Sequence, residues 1–471
     1  MSKNRTRKLI GNTAVIAAGQ FGSKILVYLL TRLYTSLLTN TEYSVASNIS
    51  DLAVLIIPLV SLGFGEAVFR LAKGSEYSKK EVFSDSFVIF VFGCLLFAVI
   101  VPVLSSIEYF SNYVLLIVFY VVASVIHTFC SNYIRAKGMV GLYAVQGIIN
   151  TAFVIFFNVI FLIPFKMSSV GYVLSVPIAD MLVSVFVVVK AKLWKDFDPA
   201  AIRLPRIGSM LKYSIPLIPT TVFMWVVNIS DRFMVTYFCG DAVNGLYSAA
   251  YKIPTLLGVM NSIFIYAWQI SAMDERGCAD RKRFYTNVFD SYASFMFIAG
   301  GAIIVCSKLV TSLMFAKTYY NAWIYIPILT FAMVIHNFSS FLDSENMVRL
   351  KSMPTMLTAL AGAATNLVLN LLFIGVFGWG GIGAAVATYI SYMTTFVLRA
   401  KIVGGSIVLQ LPRMVTNNIL MLLLVVVTMI SFKGYIVVDL LLFALLCLLN
   451  ARPVLRTFER AGIARLFKAR R

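Results

Sequence analysis

Ser214 to Lys252, SIPLIPTTVFMWVVNISDRFMVTYFCGDAVNGLYSAAYK, is the stretch whose reading decides the fold. It reads as a membrane-crossing helix broken near its start by Pro216 and Pro219, an outer turn carrying Asp231 and Arg232, and a second crossing with Lys252 inside its apolar run. An ionisable side chain facing lipid near the bilayer centre costs about 2.5–3.5 kcal/mol on the gentlest scale. Lys252 therefore demands a partner or a wet cavity, and a polar cavity inside a helical membrane bundle points to transport.

The composition agrees. A chain of 471 residues that is 60% hydrophobic and only 13% charged is excluded from the soluble class. Its apolar runs have the length of spanning helices, about 20 residues, rather than the short alternating segments of a barrel. Fourteen spans are expected, near 9–38, 43–70, 82–104, 113–134, 142–164, 170–189, 211–231, 244–270, 285–306, 320–341, 353–377, 382–398, 413–432 and 434–450. With the N-terminus cytoplasmic, most of the 40 Lys and Arg residues fall on that side, so the net charge of +20 records topology rather than nucleic-acid binding. The basic tail Arg452–Arg471 then also lies inside, where anionic lipid headgroups can meet it. Lys3, Arg5, Arg7 and Lys8 imitate the start of a secretory signal, but the apolar run after them is too long and lacks a cleavage site, so it is expected to stay as an anchor. The six cysteines show no CxxC spacing and read as small apolar fillers.

The longest polar break, KAKLWKDFDPAAIRLPRIGSMLK (190–212), divides the spans into two sets of six. The halves resemble each other. TRLYTSLLTNTEYSVASNISD aligns with SDRFMVTYFCGDAVNGLYSAAYK, which puts Arg32 near Arg232, Ser44 on Gly245 and Asp51 on Lys252. EVFSDSF resembles NVFDSYASF, bringing Asp85 near Asp290, and Asn158 and Gly171 fall on Asn370 and Gly383 with the same separation of thirteen residues. The expected fold is therefore an all-α polytopic membrane protein with 14 transmembrane helices: two pseudo-symmetric six-helix lobes, 1–208 and 209–402, related as parallel repeats, plus a C-terminal helix pair and basic tail in 403–471. Spans thirteen and fourteen are expected to have no counterpart in the first half.

In span one, Thr13, Gln20, Lys24, Tyr28, Thr31 and Arg32 recur at helical spacing on one polar face. Lys24 lies about 20 Å along the helix, too deep to snorkel comfortably, and Arg32 about 12 Å further out. Ser44, Asn48 and Asp51 line span two. Gln20, Lys24, Arg32, Asn48, Asp51 and Lys252 are thus the candidate cavity residues. Pro216 and Pro219 remove backbone donors and offer a hinge. Asp231 and Arg232 read as a surface turn fixing the hairpin. Asn158, Asn366 and Asn370 read as helix-to-helix hydrogen-bonding residues. His127 and His336 belong to no metal-spaced cluster, and most Tyr and Trp are expected in the headgroup belt. No P-loop, HExxH or GxSxG occurs, so the protein is expected not to be an enzyme and to need no cofactor, drawing on an H+ or Na+ gradient, the membrane potential or substrate supply.

With these residues in view, the chain resembles the Wzx-type oligosaccharide flippases, the polysaccharide transporter branch of the multidrug/oligosaccharidyl-lipid/polysaccharide exporter superfamily. The resemblance covers essentially the whole chain. It rests on Pro216-x-x-Pro219 followed by Asp231-Arg232, on Gly245-Leu246-Tyr247-x-x-Ala250, and on Asn366-x-x-x-Asn370 leading to Gly381-Ile382-Gly383-Ala384-Ala385-Val386-Ala387. It implies a bacterial plasma-membrane flippase with both termini cytoplasmic. Its partner would be an undecaprenyl-diphosphate-linked glycan, moved from the cytoplasmic to the outer leaflet by alternating access, alongside other polysaccharide assembly proteins. Lys24, Arg32 and Lys252 would meet the diphosphate and sugar while the prenyl tail stays in lipid. Two other transport readings stand beside it: an ion-coupled exporter of cationic compounds, which an acidic cavity would favour, and a lipid II-type flippase, against which Asp51 stands where span two of those proteins carries an arginine. A membrane-embedded glycan polymerase would need a sizeable outer loop, and the outer loops here are short.

Asp51 and Lys252, opposite in charge at equivalent depths of the two repeats, read as a gate that closes by pairing. Exchanging both charges (D51K with K252D) is then expected to preserve transport better than either single reversal in a complementation assay; equal damage in the double variant would count against pairing.

Overall fold

The computed structural model describes residues 30–63, 68, 78–215, 217–274, 281–348, 352–403, 405 and 407–460. The described residues are helices and turns with no strand. Helix α1 covers 30–37, followed by α2 (Asn40–Val60), α3 (Lys79–Ser105), α4 (Val114–Ala136), α5 (Val140–Leu162), α6 (Ser168–Ala191) and α7 (Leu204–Ser214). Then come α8 (Leu217–Cys239), α9 (Asp241–Tyr251), α10 (Thr255–Asp274), α11 (Arg281–Val305), α12 (Ser307–Met314), α13 (Ile326–Val348), α14 (Ser352–Asn370), α15 (Gly380–Val403), α16 (Leu411–Ile430) and α17 (Tyr435–Arg460). Among the described residues, 11 helices are long and apolar enough to cross a membrane.

Local sequence fixes the helix starts. Thr39 and Ser78 each cap a helix and receive a glutamate three residues on. Glu42 Oε2 accepts the Thr39 N–H at 2.8 Å, and Glu81 Oε2 accepts the Ser78 N–H at 2.8 Å. Ser168, at the start of α6, donates to the other oxygen of Glu42 and so ties the openings of α2 and α6 together.

Contacts divide the chain into two compact units, Met1–Trp225 and Val226–Arg471, with the division inside α8. In the first, α6 packs on α4 and α5, and α2 packs on α4 and α6. In the second, α15 packs on α13 and α14 in the same pattern, and α13 also packs on α10 and α11. The repeat reaches individual atoms. A Cβ on Gly171 would lie 2.9 Å from Cβ of Phe161, and one on Gly383 would lie 3.0 Å from Cβ of Phe373, so each glycine lets the fifth helix of its unit turn tightly into the sixth. The core of the second unit is aromatic: Trp268 stacks on Phe341 at 5.0 Å, Phe264 on Tyr292 at 4.5 Å, and Trp268 Nε1 donates to Ser344 at 2.8 Å. These rings build the packing rather than a headgroup belt.

Two expected spans are corrected in detail. The crossing expected at 244–270 is two helices, α9 and α10, separated by a turn at Lys252–Pro254. Pro254 lacks an N–H and its ring would clash one turn back, so the helix restarts at Thr255, whose hydroxyl closes the turn by donating to the Lys252 carbonyl at 2.6 Å. Span seven runs on to Cys239, leaving Asp231 and Arg232 inside the helix instead of in a turn after it.

The C-terminal pair is also less foreign than the sequence reading held. Its opening, Leu411-Pro412-Arg413, repeats Leu204-Pro205-Arg206 at the start of α7, and both arginines do the same work. Arg206 Nε donates to Asp85, whose other oxygen accepts the Arg203 N–H at 3.0 Å, and Arg206 Nη1 reaches Glu81 at 2.8 Å. Arg413 Nη1 reaches both oxygens of Asp290, at 2.8 and 2.9 Å. Asp85 and Asp290, aligned by sequence, are thus each clasped by the helix that follows the sixth span of their unit. Burial opposes the Arg206 charge, but the hydrogen bonds and negative charges of Asp85 and Glu81 more than offset it and raise its pKa. Further along, Asn417 and Asn450 exchange amide bonds at 3.0 and 2.9 Å. Lys308 lies 4.3 Å from the rings of both Trp323 and Tyr435 and donates to Ser431 at 2.6 Å, pinning the other end of the pair.

The crossing of α2 and α3 is the tightest in the first unit: a Cβ on Gly93 would lie 1.8 Å from the Val60 carbonyl oxygen, a backbone atom. Gly93→Ala is expected to cost about 1–3 kcal/mol, seen as a lower Tm and yield in detergent. Gly141→Ala, in α5 with nothing near the added carbon, is expected to gain up to about 1 kcal/mol from helix propensity.

Candidate functional site

The densest polar cluster inside the membrane helices of the second unit is centred on Asp231. Fourteen residues into α8, it lies about 20 Å along the helix, and only 1% of it is exposed. A carboxylate at such depth survives only if donors surround it. Three do: Tyr247 of α9 donates to Oδ2 at 2.5 Å, Thr388 of α15 to Oδ2 at 3.1 Å, and the Arg232 N–H to Oδ1 at 3.0 Å. The next residue back extends the cluster. Ser230 donates to Asn366 Oδ1 on α14 at 3.1 Å, and Asn370 Nδ2 donates to the same oxygen at 3.1 Å. Asn370 Oδ1 is buried with no hydrogen-bond donor. The Arg232 guanidinium turns toward the Tyr251 ring, 5.0 Å from its centre, and Tyr251 meets Tyr392 hydroxyl to hydroxyl at 3.2 Å.

Small residues make room for this arrangement. Gly362 admits the Thr395 hydroxyl, 2.3 Å from where a Cβ would stand, and its carbonyl accepts from Ser391 at 2.8 Å; Ala384 and Ala385 keep α15 close to its neighbours with no exposed surface. Chemically the cluster is a set of hard oxygens, one carboxylate with hydroxyls and side-chain amides, held by three long helices, α8, α14 and α15, and the short α9. No group of three His, Cys, Asp or Glu residues that could hold a metal occurs among the described residues.

The residues expected from sequence are distributed as follows. Asp231 and Arg232 are corrected: they lie within α8, Asp231 buried at the centre of the cluster and Arg232 half-buried beside it, because Tyr247 and Thr388 supply the hydroxyls that a surface turn would have taken from water. Asn48, buried in α2, donates to Tyr109 at 3.0 Å. Asp51, a turn later and half-buried, accepts the Trp225 indole N–H at its backbone carbonyl, 2.8 Å away, which fastens the start of α8 to α2. Arg32 is exposed on α1. Lys252, half-buried, caps the C-terminus of α9 at the helix break. Pro219 sits in the first turn of α8, where its missing N–H leaves no intrahelical bond unmade, and α7 ends three residues before α8 begins. Gln20, Lys24 and Pro216 lie outside the described residues. Asn158 donates to Ser175 of α6 at 2.7 Å, linking neighbouring helices as expected.

The family model described as polysaccharide biosynthesis protein matches residues 9–269, more than half of the chain. The chain belongs to the polysaccharide biosynthesis protein family. Several proteins of solved structure share its fold. A lipid II flippase MurJ in an inward closed conformation superposes with a TM-score of 0.70 at 12% identity, over 94% of this chain and 99% of that one. An inward-facing multidrug resistance MATE family transporter of the MOP superfamily gives 0.64 at 13% identity, covering 81% and 95%. A MOP superfamily transporter from Pyrococcus furiosus gives 0.56 at 12%, covering 83% and 94%. No curated protein matches the sequence. This family member is accordingly a multi-pass helical membrane protein with the MOP superfamily fold.

Thr388 and Ser230 were not singled out by sequence, and Tyr247 stood there only as part of a motif, because a hydroxyl becomes informative only when a buried charge is found beside it. Asp231→Ala removes the acceptor from all three donors. It is expected to lower stability by about 1–3 kcal/mol in thermal unfolding of the purified protein, and Asp231→Asn, which keeps an acceptor oxygen, to recover at least half of that loss.

Proposed function

We propose that the protein is a flippase that moves an undecaprenyl-diphosphate-linked oligosaccharide from the cytoplasmic to the outer leaflet of a bacterial plasma membrane, for surface polysaccharide biosynthesis. The observation that supports this reading above others is membership of the polysaccharide biosynthesis family in a chain whose membrane helices bury matched charges. Charges kept at that depth are costly and mark transport pathways far more often than packing sites. In this reading Arg32 and Lys252, with Lys24, meet the anionic diphosphate and the sugar, while the prenyl chain stays in lipid. Fourteen crossings, two lobes with an appended pair, and cytoplasmic termini belong to the same proposal, as does alternating access hinged at Pro216 and Pro219.

Transport without nucleotide hydrolysis needs another source of free energy. The oxygens of Asp231, Ser230, Asn366, Asn370 and Thr388 suit a hard cation, and a single carboxylate balances one charge, so a monovalent cation such as Na+ is the proposed coupling ion. Binding there would use the Asn370 oxygen that has no donor in the described fold.

Deleting the gene in its native host is expected to cause an undecaprenyl-diphosphate-linked oligosaccharide to accumulate, seen by mass spectrometry of extracted lipids and reversed by the wild-type gene. In energised vesicles, replacing Na+ by an organic cation is expected to slow translocation at least about tenfold, and less in the Asp231→Asn variant. An unchanged lipid-linked pool together with increased sensitivity to cationic compounds would favour a drug exporter instead.

A further inference from the structure

Within the first unit, three helices bring together a second polar group that no spacing in the sequence reveals. His127 lies near the middle of α4, Gln146 and Asn150 in the first half of α5, and Asp180 near the middle of α6. His127 Nδ1 is 3.2 Å from Asp180 Oδ1, and its Nε2 is 2.7 Å from Gln146 Oε1. Asp180 is further held by Asn150, which donates to Oδ1 at 2.7 Å, and by Ser124, which donates to Oδ2 at 2.6 Å. The Asp180 side chain is 9% exposed and that of His127 20%, so the ring has access that the carboxylate lacks.

Both ring nitrogens therefore face oxygen acceptors. A neutral imidazole carries one N–H and can satisfy one of them; the imidazolium carries two and satisfies both. Gln146 also fits the other state. A half-turn of its amide presents the NH2 to Nε2, and Nδ1–H then serves Asp180 alone. The same cage thus holds the ring with or without its second proton and loses no hydrogen bond in either state. What changes is charge. Protonated, the pair with Asp180 is neutral; deprotonated, it leaves one negative charge at membrane depth, supported by hydrogen bonds from Ser124, Asn150 and the neutral ring but by no positive charge on the ring. That difference biases which states of the unit exclude water.

The helices packed on α4 are α2, α3, α5 and α6. Tyr120 of α4 lies within electrostatic reach of Asp180, of Tyr172 on α6 and of Asp51 on α2. On α3, Glu81 and Asp85 are committed to Arg206, and on α5 Tyr143 faces Arg135 at 5.8 Å. Asp180 is accordingly the carboxylate that His127 touches.

We propose that His127, held between Asp180 and Gln146, is a reversible proton-binding site of the first unit. Its ligand is the proton itself, taken up at Nε2 or Nδ1 from water and released to it. Only the further consequence, that proton binding modulates translocation, rests on the proposed transport function.

The chain has two histidines, so His336→Gln leaves His127 as the only one. Full-length His336→Gln protein, labelled with 15N-histidine and reconstituted in lipid nanodiscs, is expected to show one reversible transition between doubly and singly protonated ring as the pH is raised. Adding Asp180→Asn is expected to cut the doubly protonated population at least about tenfold at a fixed pH inside that transition. A ring that stays singly protonated throughout, or titrates identically without the Asp180 charge, overturns the proposal. In vesicles, His127→Gln is expected to abolish the response of translocation to an imposed pH gradient while the NMR result stands on its own. Titration without any glycan translocation would keep the proton site and reject the substrate assignment; an undiminished pH response in His127→Gln would reject the coupling.

Discussion

A carboxylate carried into a membrane interior must be met, oxygen by oxygen, by donors brought from other helices. Asp85, Asp180, Asp231 and Asp290 are each met in this way, and the helices that supply the donors are thereby fixed to one another. Asp85 holds α7 against α3, Asp180 holds α4, α5 and α6 together, Asp231 joins α8, α9 and α15, and Asp290 holds α16 against α11. The apolar contacts between these helices are not directional in lipid, where tails are as apolar as leucine. The carboxylates therefore set register and orientation, and the glycines at 93, 171 and 383 set how closely the backbones approach.

These four groups divide by chemistry. Asp85 and Asp290 face arginine, a side chain that keeps its charge at any working pH, and so form permanent ties at helix ends. Asp180 faces histidine, and Asp231 accepts hydrogen bonds from hydroxyls and a backbone N–H, partners that leave room for a change of proton or cation. The fixed ties lie in the first half of α3 and α11, and the adjustable ones at or beyond the middle of α6 and α8. A molecule that changes shape in the membrane needs both kinds, because motion requires some charges to be re-solvated while others keep the moving parts intact.

The helix pattern was legible from hydropathy because the requirement that backbone groups be satisfied within each segment leaves a long apolar run few alternatives. Asn158, Gly171, Asn370 and Gly383 were legible as repeats, and the matching Phe161 and Phe373 contacts show why the spacing is kept. The sites were less so. Asp231 looked like the end of a hairpin because the apolar run thins there; what keeps it inside is Tyr247 and Thr388, distant in sequence. His127 looked solitary for the same reason, since Gln146 and Asp180 come from two other helices. Lys252 was placed inside a crossing because hydropathy counts side chains and does not register that Pro254 interrupts the backbone.

The recurrence of Leu-Pro-Arg at 204–206 and 411–413, each arginine clasping an aspartate of its own unit, carries the likeness of the two units past α6 and α15 into the helix that follows each. A chain cut short before Arg413 would strand the Asp290 carboxylate, because that one guanidinium binds both of its oxygens.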